Sequence, residues 1–285
     1  MIAQKFDYVV ASSLGDAVNL LQKHGGRAKI LAGGHSLIPM MKLRLAAPEF
    51  LIDIGRIPEL SYIKEDTAKI RIGALTTHHA INTSEIVRSR LSALADAAGL
   101  IGDIQVRNKG TIGGSIAHSD PAADYPASIL AFDATIVTLG PQGERQIPAS
   151  KFFVDMMTTA LDHNEIIREV QFPVKQGMIR SAYLKMGQKA SGFAICGVAA
   201  VLESEASGMT SNAAIGVTGV ASHAFRASKT EARLRGQKPT ADVIKAACDK
   251  ASDGIIGLDD IHASAGYRLD LARIYSRRAV EAAIA

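Results

Sequence analysis

Lys29-Ile30-Leu31-Ala32-Gly33-Gly34-His35-Ser36-Leu37-Ile38-Pro39-Met40-Met41-Lys42 reads as a strand-like apolar lead, a glycine pair closed by a serine, and a short helix. Adjacent glycines let main-chain N–H groups turn toward one point, and they let a bulky anion approach with no Cβ in the way. Ser36 adds a neutral donor, and the dipole of the following helix favours a phosphate at its start. The design recurs at Thr111-Ile112-Gly113-Gly114-Ser115. Either pair taken singly reads as a turn. Two of them, each following an apolar run and ending in a hydroxyl, can grip one diphosphate.

Outward from the first pair, Ser13 and Asp16 with Ala17, Val18, Leu20 and Leu21 at helical spacing predict an N-capped helix ending at Gly25-Gly26. Strands are expected at 28–31 and 50–54, so the first fifty or so residues form a small β-α-β unit with the glycine loop inside it. From Leu60 the pattern turns to strands at 61–64 and 69–73 and helices at 77–82 and about 87–99. Asp120-Pro121 or Asp124-Tyr125-Pro126 should cap a helix running to Phe132. Strands follow at 135–139, 145–147 and 165–172, and Phe172-Pro173-Val174-Lys175-Gln176-Gly177 is the best boundary. Beyond it lie three long β segments (181–186, 193–203, 211–220) and then helices at about 225–235, 240–251 and 265–284. That order is α+β. The expected division is 1–175, with subdomains of about 1–56 and 57–175, and 176–285.

Composition narrows the function. At 285 residues and 47% hydrophobic the chain can bury a large core, and no apolar run is long enough to span a bilayer. The first residues lack the basic-then-apolar layout of a secretory leader. Cys196 and Cys248 are the only cysteines, which leaves no disulfide framework and no iron–sulfur ligand set and places the chain in a reducing cytoplasm. A net charge of +4, no tryptophan and 5% aromatics argue against nucleic acid. Arg268, Arg273, Arg277 and Arg278 form a solvated helix face or a dock for an acidic partner subunit.

No Gly-x-Gly-x-x-Gly opens a helix after a strand, and no Gly-x-x-x-x-Gly-Lys-Ser/Thr exists, so neither a Rossmann fold nor a P-loop is indicated. His78, His79 and His118 lack carboxylate or thiolate partners at metal-ligand spacing. His35 can donate to a phosphate oxygen or cap the following helix. Asp120 and Asp124 read first as helix caps, with Asp124 also placed to accept from a ribose hydroxyl or adenine amine. Lys185, mid-strand, is a solvated edge charge or a cation beside a flavin ring or phosphate. Phe193 is a core residue or a ring covering a planar cofactor.

The segments Leu31 to Lys42 and Arg107-Asn108-Lys109-Gly110-Thr111-Ile112-Gly113-Gly114-Ser115-Ile116-Ala117-His118, with 53–60 and Asp260-Ile261-His262-Ala263-Ser264, resemble the FAD-binding medium subunit of molybdenum hydroxylases. That is the family of the aerobic carbon monoxide dehydrogenase medium subunit and the xanthine dehydrogenase flavin domain, and the likeness covers nearly the whole chain. It implies a vanillyl-alcohol-oxidase-type (PCMH-type) FAD-binding fold of two α/β subdomains, with a C-terminal domain of a three-stranded antiparallel sheet and a helix bundle. Carried over by position, Leu31, Ala32, Gly33, Gly34, His35, Ser36 and Leu37, with Thr111, Ile112, Gly113, Gly114 and Ser115, line the diphosphate. His118 and Asp124 follow where relatives contact the nucleotide, and Ile166, Lys185 and Phe193 match less distinctive stretches.

The function so implied is electron transfer without a catalytic side chain: electrons pass from two [2Fe–2S] clusters on a small subunit through FAD to an external acceptor. A large subunit carries the molybdenum cofactor and oxidises carbon monoxide, an N-heterocycle or an aldehyde, in an assembly expected to be a dimer of heterotrimers. The carbon-monoxide-oxidising members tend to carry an acidic residue where this chain has Gly192, just before Phe193. The rivals are a stand-alone flavin oxidoreductase of the same fold and a non-redox nucleotide-binding assembly protein.

Overall fold

Short-range signals account for the first unit in the computed structural model, which describes residues 2–285. Ser13 caps the helix Leu14–His24 by accepting from the Asp16 amide, and Gly25 ends it at a φ of 55°. The strands Asp7–Val10, Phe50–Asp53 and Ala28–Leu31 form a three-stranded sheet in that order, both pairings parallel. Ala17, Val18 and Leu21 of the helix share a core with Ile52, Ile54 and, from far along the chain, Ile166 and Leu139. This shared core seats the first unit against the second.

The second unit is a five-stranded antiparallel sheet ordered Ile63–Glu65, Lys69–Gly73, Ile166–Pro173, Thr135–Gly140, Gly143–Pro148. Helices cover the face that presents Ile70, Ile72, Ile136, Val170 and Phe172. The expected helix at 87–99 is instead two, Glu85–Arg90 and Ser92–Gly99, because Leu91 leaves helical geometry and buries its side chain. Ser92 then donates to the Ser181 carbonyl at 2.7 Å. A two-stranded ribbon, Phe153–Asp155 with Thr158–Thr159, was not foreseen.

Past residue 177 the strands Met178–Gly187, Ala194–Ser204 and Thr210–Thr218 make one antiparallel sheet, with a two-residue fourth strand, Phe225–Arg226, at its edge. The helix expected from 225 starts only at Ser228, since Arg226 is drawn aside to Asp133 at 2.6 Å and the Leu130 carbonyl at 3.0 Å. Ala199 and Val201 face the helices of the second unit, while Val198, Ala200 and Leu202 face the C-terminal helices. A strand buried on both faces must read as a continuous apolar run, and this one does. The last helix, Ala265–Ile284, is capped by Ser264. Arg268 is buried within it, bonded to the Ile195 and Gly219 carbonyls and to Asp260, so it belongs to no solvated face. Among the described residues no helix is long and apolar enough to cross a membrane.

Candidate functional site

The two glycine segments, far apart in sequence, come together. Gly33 lies against the main chain of Lys109 and Gly110, so a Cβ there would be 2.8 Å from the Lys109 carbonyl carbon and 2.9 Å from Gly110 Cα. A Cβ on Gly114 would be 3.9 Å from Ala32 Cβ. Between them opens a cleft of about 780 Å³ that runs on to Ile166, Phe193 and the loop around His163. That volume is in the range of small-molecule sites.

The segments contribute differently. Gly34 adopts a φ of 75°, a region that costs any side-chain-bearing residue roughly 1–2 kcal/mol. The turn it creates leaves the amides of Gly33, Gly34, His35, Ser36 and Leu37 with no protein acceptor among the described residues. The second segment, expected to be a matching loop, is instead the start of the helix Ile112–His118, capped by Thr111. Past Thr111 its amides are taken: Ile112 donates to the Thr76 carbonyl at 3.1 Å and Gly113 to the Ala74 carbonyl at 2.9 Å. Gly114 donates to Thr111 Oγ1 at 3.2 Å and Ser115 to the Thr111 carbonyl at 3.0 Å. The expected clamp of amides from both sides is therefore unequal: five free amides on the first side face one, that of Thr111, on the second. The second segment presents a wall without a Cβ at Gly114, while Gly113 is packed on Ala74, where a Cβ would be 2.6 Å from that residue's own.

Fifteen of the candidates line the cleft; Ile112 and Lys185 do not. Ile112 is a core residue. Lys185 is neither solvated nor turned to a ligand. Its ammonium donates to the Leu100 carbonyl at 2.7 Å and the Gly192 carbonyl at 2.7 Å, and it pairs with Asp124 at 2.9 Å. Three protons meet three acceptors, and none remains.

Asp124 does stand at the N-cap position of the helix Tyr125–Ala131, with Pro126 in its first turn, but its side chain makes no capping bond. Its carboxylate accepts from the Tyr183 hydroxyl at 2.6 Å and from Lys185, which leaves little for a ribose or adenine. Burial pushes this carboxyl up, against the opposing pull of the Lys185 ammonium and the Tyr183 hydroxyl. Asp120 accepts from the Ala122 amide at 2.8 Å in a tight turn and caps no helix. Phe193 is 48% exposed at the cleft mouth. Its turn is closed by bonds between Gln188 and Phe193 and between Gly192 and Gln188, each 2.8 Å, and by Lys185 on Gly192. The φ of 75° at Gly192 gives that turn a reason for its glycine.

Sequence reading placed no ligand role on His78, Gly110, Thr159 or Asp162, all of which line the cleft. Gly110 carried a signal, since it directly precedes the second motif. His78 did not, because its place depends on Tyr125, whose hydroxyl is 3.0 Å from Nδ1. Among the described residues Lys29 is the only lysine or arginine along the cleft, against His35, His78, His118 and His163. No group of three His, Cys, Asp or Glu suited to a metal occurs among the described residues.

Burial, with smaller contributions from the charges of His35 and Arg107, lowers the His78 imidazole from 6.5 to about 4. The unfolded chain takes up this proton near 6.5 and the folded chain only near 4. Stability is thus full above that window and declines as pH falls through it, by about 3 kcal/mol in all. Urea unfolding of the wild type and of His78→Gln at pH 7 and pH 4 should show that extra decline in the wild type alone. Parallel losses in the two proteins would remove His78 as its source.

The family described as FAD binding domain in molybdopterin dehydrogenase matches residues 4–175, and that described as CO dehydrogenase flavoprotein C-terminal domain matches residues 181–283. The carbon monoxide dehydrogenase medium chain of Hydrogenophaga pseudoflava is 42% identical over 99% of this chain and 98% of its own. The 6-hydroxypseudooxynicotine dehydrogenase complex subunit alpha of Paenarthrobacter nicotinovorans is 37% identical over 98% of this chain and 94% of its own. Among solved structures, a chain of the Hydrogenophaga pseudoflava carbon monoxide dehydrogenase that lacks the Mo-pyranopterin moiety superposes with a TM-score of 0.95 at 44% identity, covering 99% of this chain and 98% of that one.

Proposed function

The chain belongs to the family of FAD-binding medium subunits of molybdenum hydroxylases, and on that premise we propose that it is the electron-carrying subunit of a three-subunit complex. One observation carries the proposal: a row of main-chain amides without protein acceptors, from Gly33 to Leu37, faces a wall without a Cβ at Gly114 across a single cleft. A diphosphate needs several donors and close approach, and this pairing offers both without a lysine or arginine. Ile166 would form apolar wall along the dinucleotide, and Phe193 would cover a planar ring at the mouth.

FAD, when bound, supplies the redox chemistry. The chain's own residues hold and orient it. Two cysteines, both buried, leave this chain no ligand set for a cluster, so the [2Fe–2S] clusters belong to a small partner subunit. The molybdenum cofactor and the oxidised substrate, whether carbon monoxide, an N-heterocycle or an aldehyde, belong to a large one. The reading extends to a cytoplasmic dimer of heterotrimers and to a functional division at residues 175 and 176.

Purified full-length chain should carry, or take up, one FAD and show its visible absorbance. Alone it should not turn over carbon monoxide, nicotine-like heterocycles or aldehydes. Brisk turnover by the isolated chain would favour a self-sufficient oxidoreductase, and indifference to added FAD would refute the cofactor assignment.

A further inference from the structure

With the amides of Ile112, Gly113, Gly114 and Ser115 already bonded, a ligand on that side of the cleft is left with the Thr111 amide and needs a further donor. His78 is 4% exposed, and its own amide donates to the Gly110 carbonyl at 3.0 Å, which seats the ring beside the segment. Gly110 leaves the ring room: a Cβ there would be 2.5 Å from Nε2. Nδ1 is 3.0 Å from the hydroxyl of Tyr125, a fully buried side chain with no other hydrogen-bond partner among the described residues.

These contacts settle the tautomer. Burial holds the Tyr125 phenol well above its ordinary pKa, so it keeps its proton. The sole acceptor in reach is Nδ1. Were Nδ1 to carry hydrogen, the phenol proton would be buried with nothing to accept it. Nδ1 therefore accepts, and the hydrogen of the neutral ring is on Nε2, which has no protein partner among the described residues.

We infer that His78 presents Nε2–H as a fixed, uncharged donor to an oxygen of bound FAD at the second glycine segment, with Tyr125 holding the tautomer as a positioning residue. This rests on the FAD reading above. It supplies from a side chain what the Ile112–Ser115 amides no longer offer, and it explains why the cleft places a buried imidazole next to a glycine.

The test uses full-length chain labelled with ¹⁵N-histidine. Without FAD, His78 should show an accepting Nδ1 and a protonated Nε2; on addition of FAD the Nε2 resonance should shift. His78→Phe should weaken FAD binding by about 10–100-fold, the loss typical of one hydrogen bond to a charged acceptor. His78→Gln, whose amide NH₂ reaches toward the Nε2 position, should recover most of that loss. Tyr125→Phe should leave the fold intact by circular dichroism, mix the His78 tautomers and weaken FAD binding by a few-fold; it carries the test should His78→Phe fail to fold. Stoichiometric FAD binding with an unmoved Nε2 resonance, or with full affinity in His78→Phe, would overturn this inference alone. A wild-type chain that binds no FAD would overturn the FAD reading and this inference with it.

Discussion

Replacing Gly33 by alanine is expected to raise the dissociation constant for FAD by about a hundredfold or more, equivalent to losing two hydrogen bonds to a charged acceptor. The added methyl would overlap the Lys109 carbonyl and lie 2.9 Å from Gly110 Cα. Both are main chain and neither can rotate away. The first loop must retreat from the second segment and carry its unpaired amides with it, at a stability cost of about 1–3 kcal/mol typical of overpacking. Gly114→Ala tests the other wall: its Cβ would lie 2.9 Å from the Thr111 hydroxyl oxygen that caps the helix and 3.9 Å from Ala32 Cβ, clear of any distant main chain. The Thr111 cap would have to shift slightly while the two segments stay in contact, and the methyl would encroach on the bare wall, so FAD binding should weaken here too, but by less than in Gly33→Ala. Flavin fluorescence titration of both variants, with circular dichroism as the check on folding, measures the contrast. A Gly33→Ala protein binding FAD within about threefold of wild type would show that the two segments need not touch.

Lys185→Met should lower stability by about 3–5 kcal/mol, the usual cost of leaving one member of a buried ion pair alone. Asp124 is 4% exposed, and its remaining partner would be the Tyr183 hydroxyl. Because Lys185 also holds the Leu100 and Gly192 carbonyls, the loss would free the turn that carries Phe193. In a chain of this size the melting temperature should fall by about 10 °C. The double variant Asp124→Asn, Lys185→Met removes the stranded charge and should regain much of the loss. A single variant that melts with the wild type would contradict the buried pair. If the double variant melts as low as the single one, the damage comes from the freed turn.

Much of the fold could be read along the chain because its causes are local. Ser13, Ser264 and Thr111 cap helices through the amide three residues on, and alternation of apolar residues marks the strands. The β-α-β unit followed from periodicity, and both glycine segments from their own residues. Where expectation and structure part, a distant partner decides. Leu91 breaks a helix to bury its side chain, and Arg226 abandons one for Asp133. Asp120 looked like a cap because acid before proline commonly caps, and Asp124 takes the N-cap position but spends its side chain on Tyr183 and Lys185.

By itself the sequence determined which short segments turn, cap and pair, and that two glycine segments could serve one anion, since these depend on dihedral freedom and spacing within a few residues. Tertiary structure decided which donors stay free. The second segment's Ile112 and Gly113 amides are consumed by carbonyls at Thr76 and Ala74, Lys185 is spent on an aspartate 61 positions away, and His78 gains its tautomer from a tyrosine 47 positions away. Hydrogen-bonding capacity is finite at each group, and only the folded chain shows where it has been used.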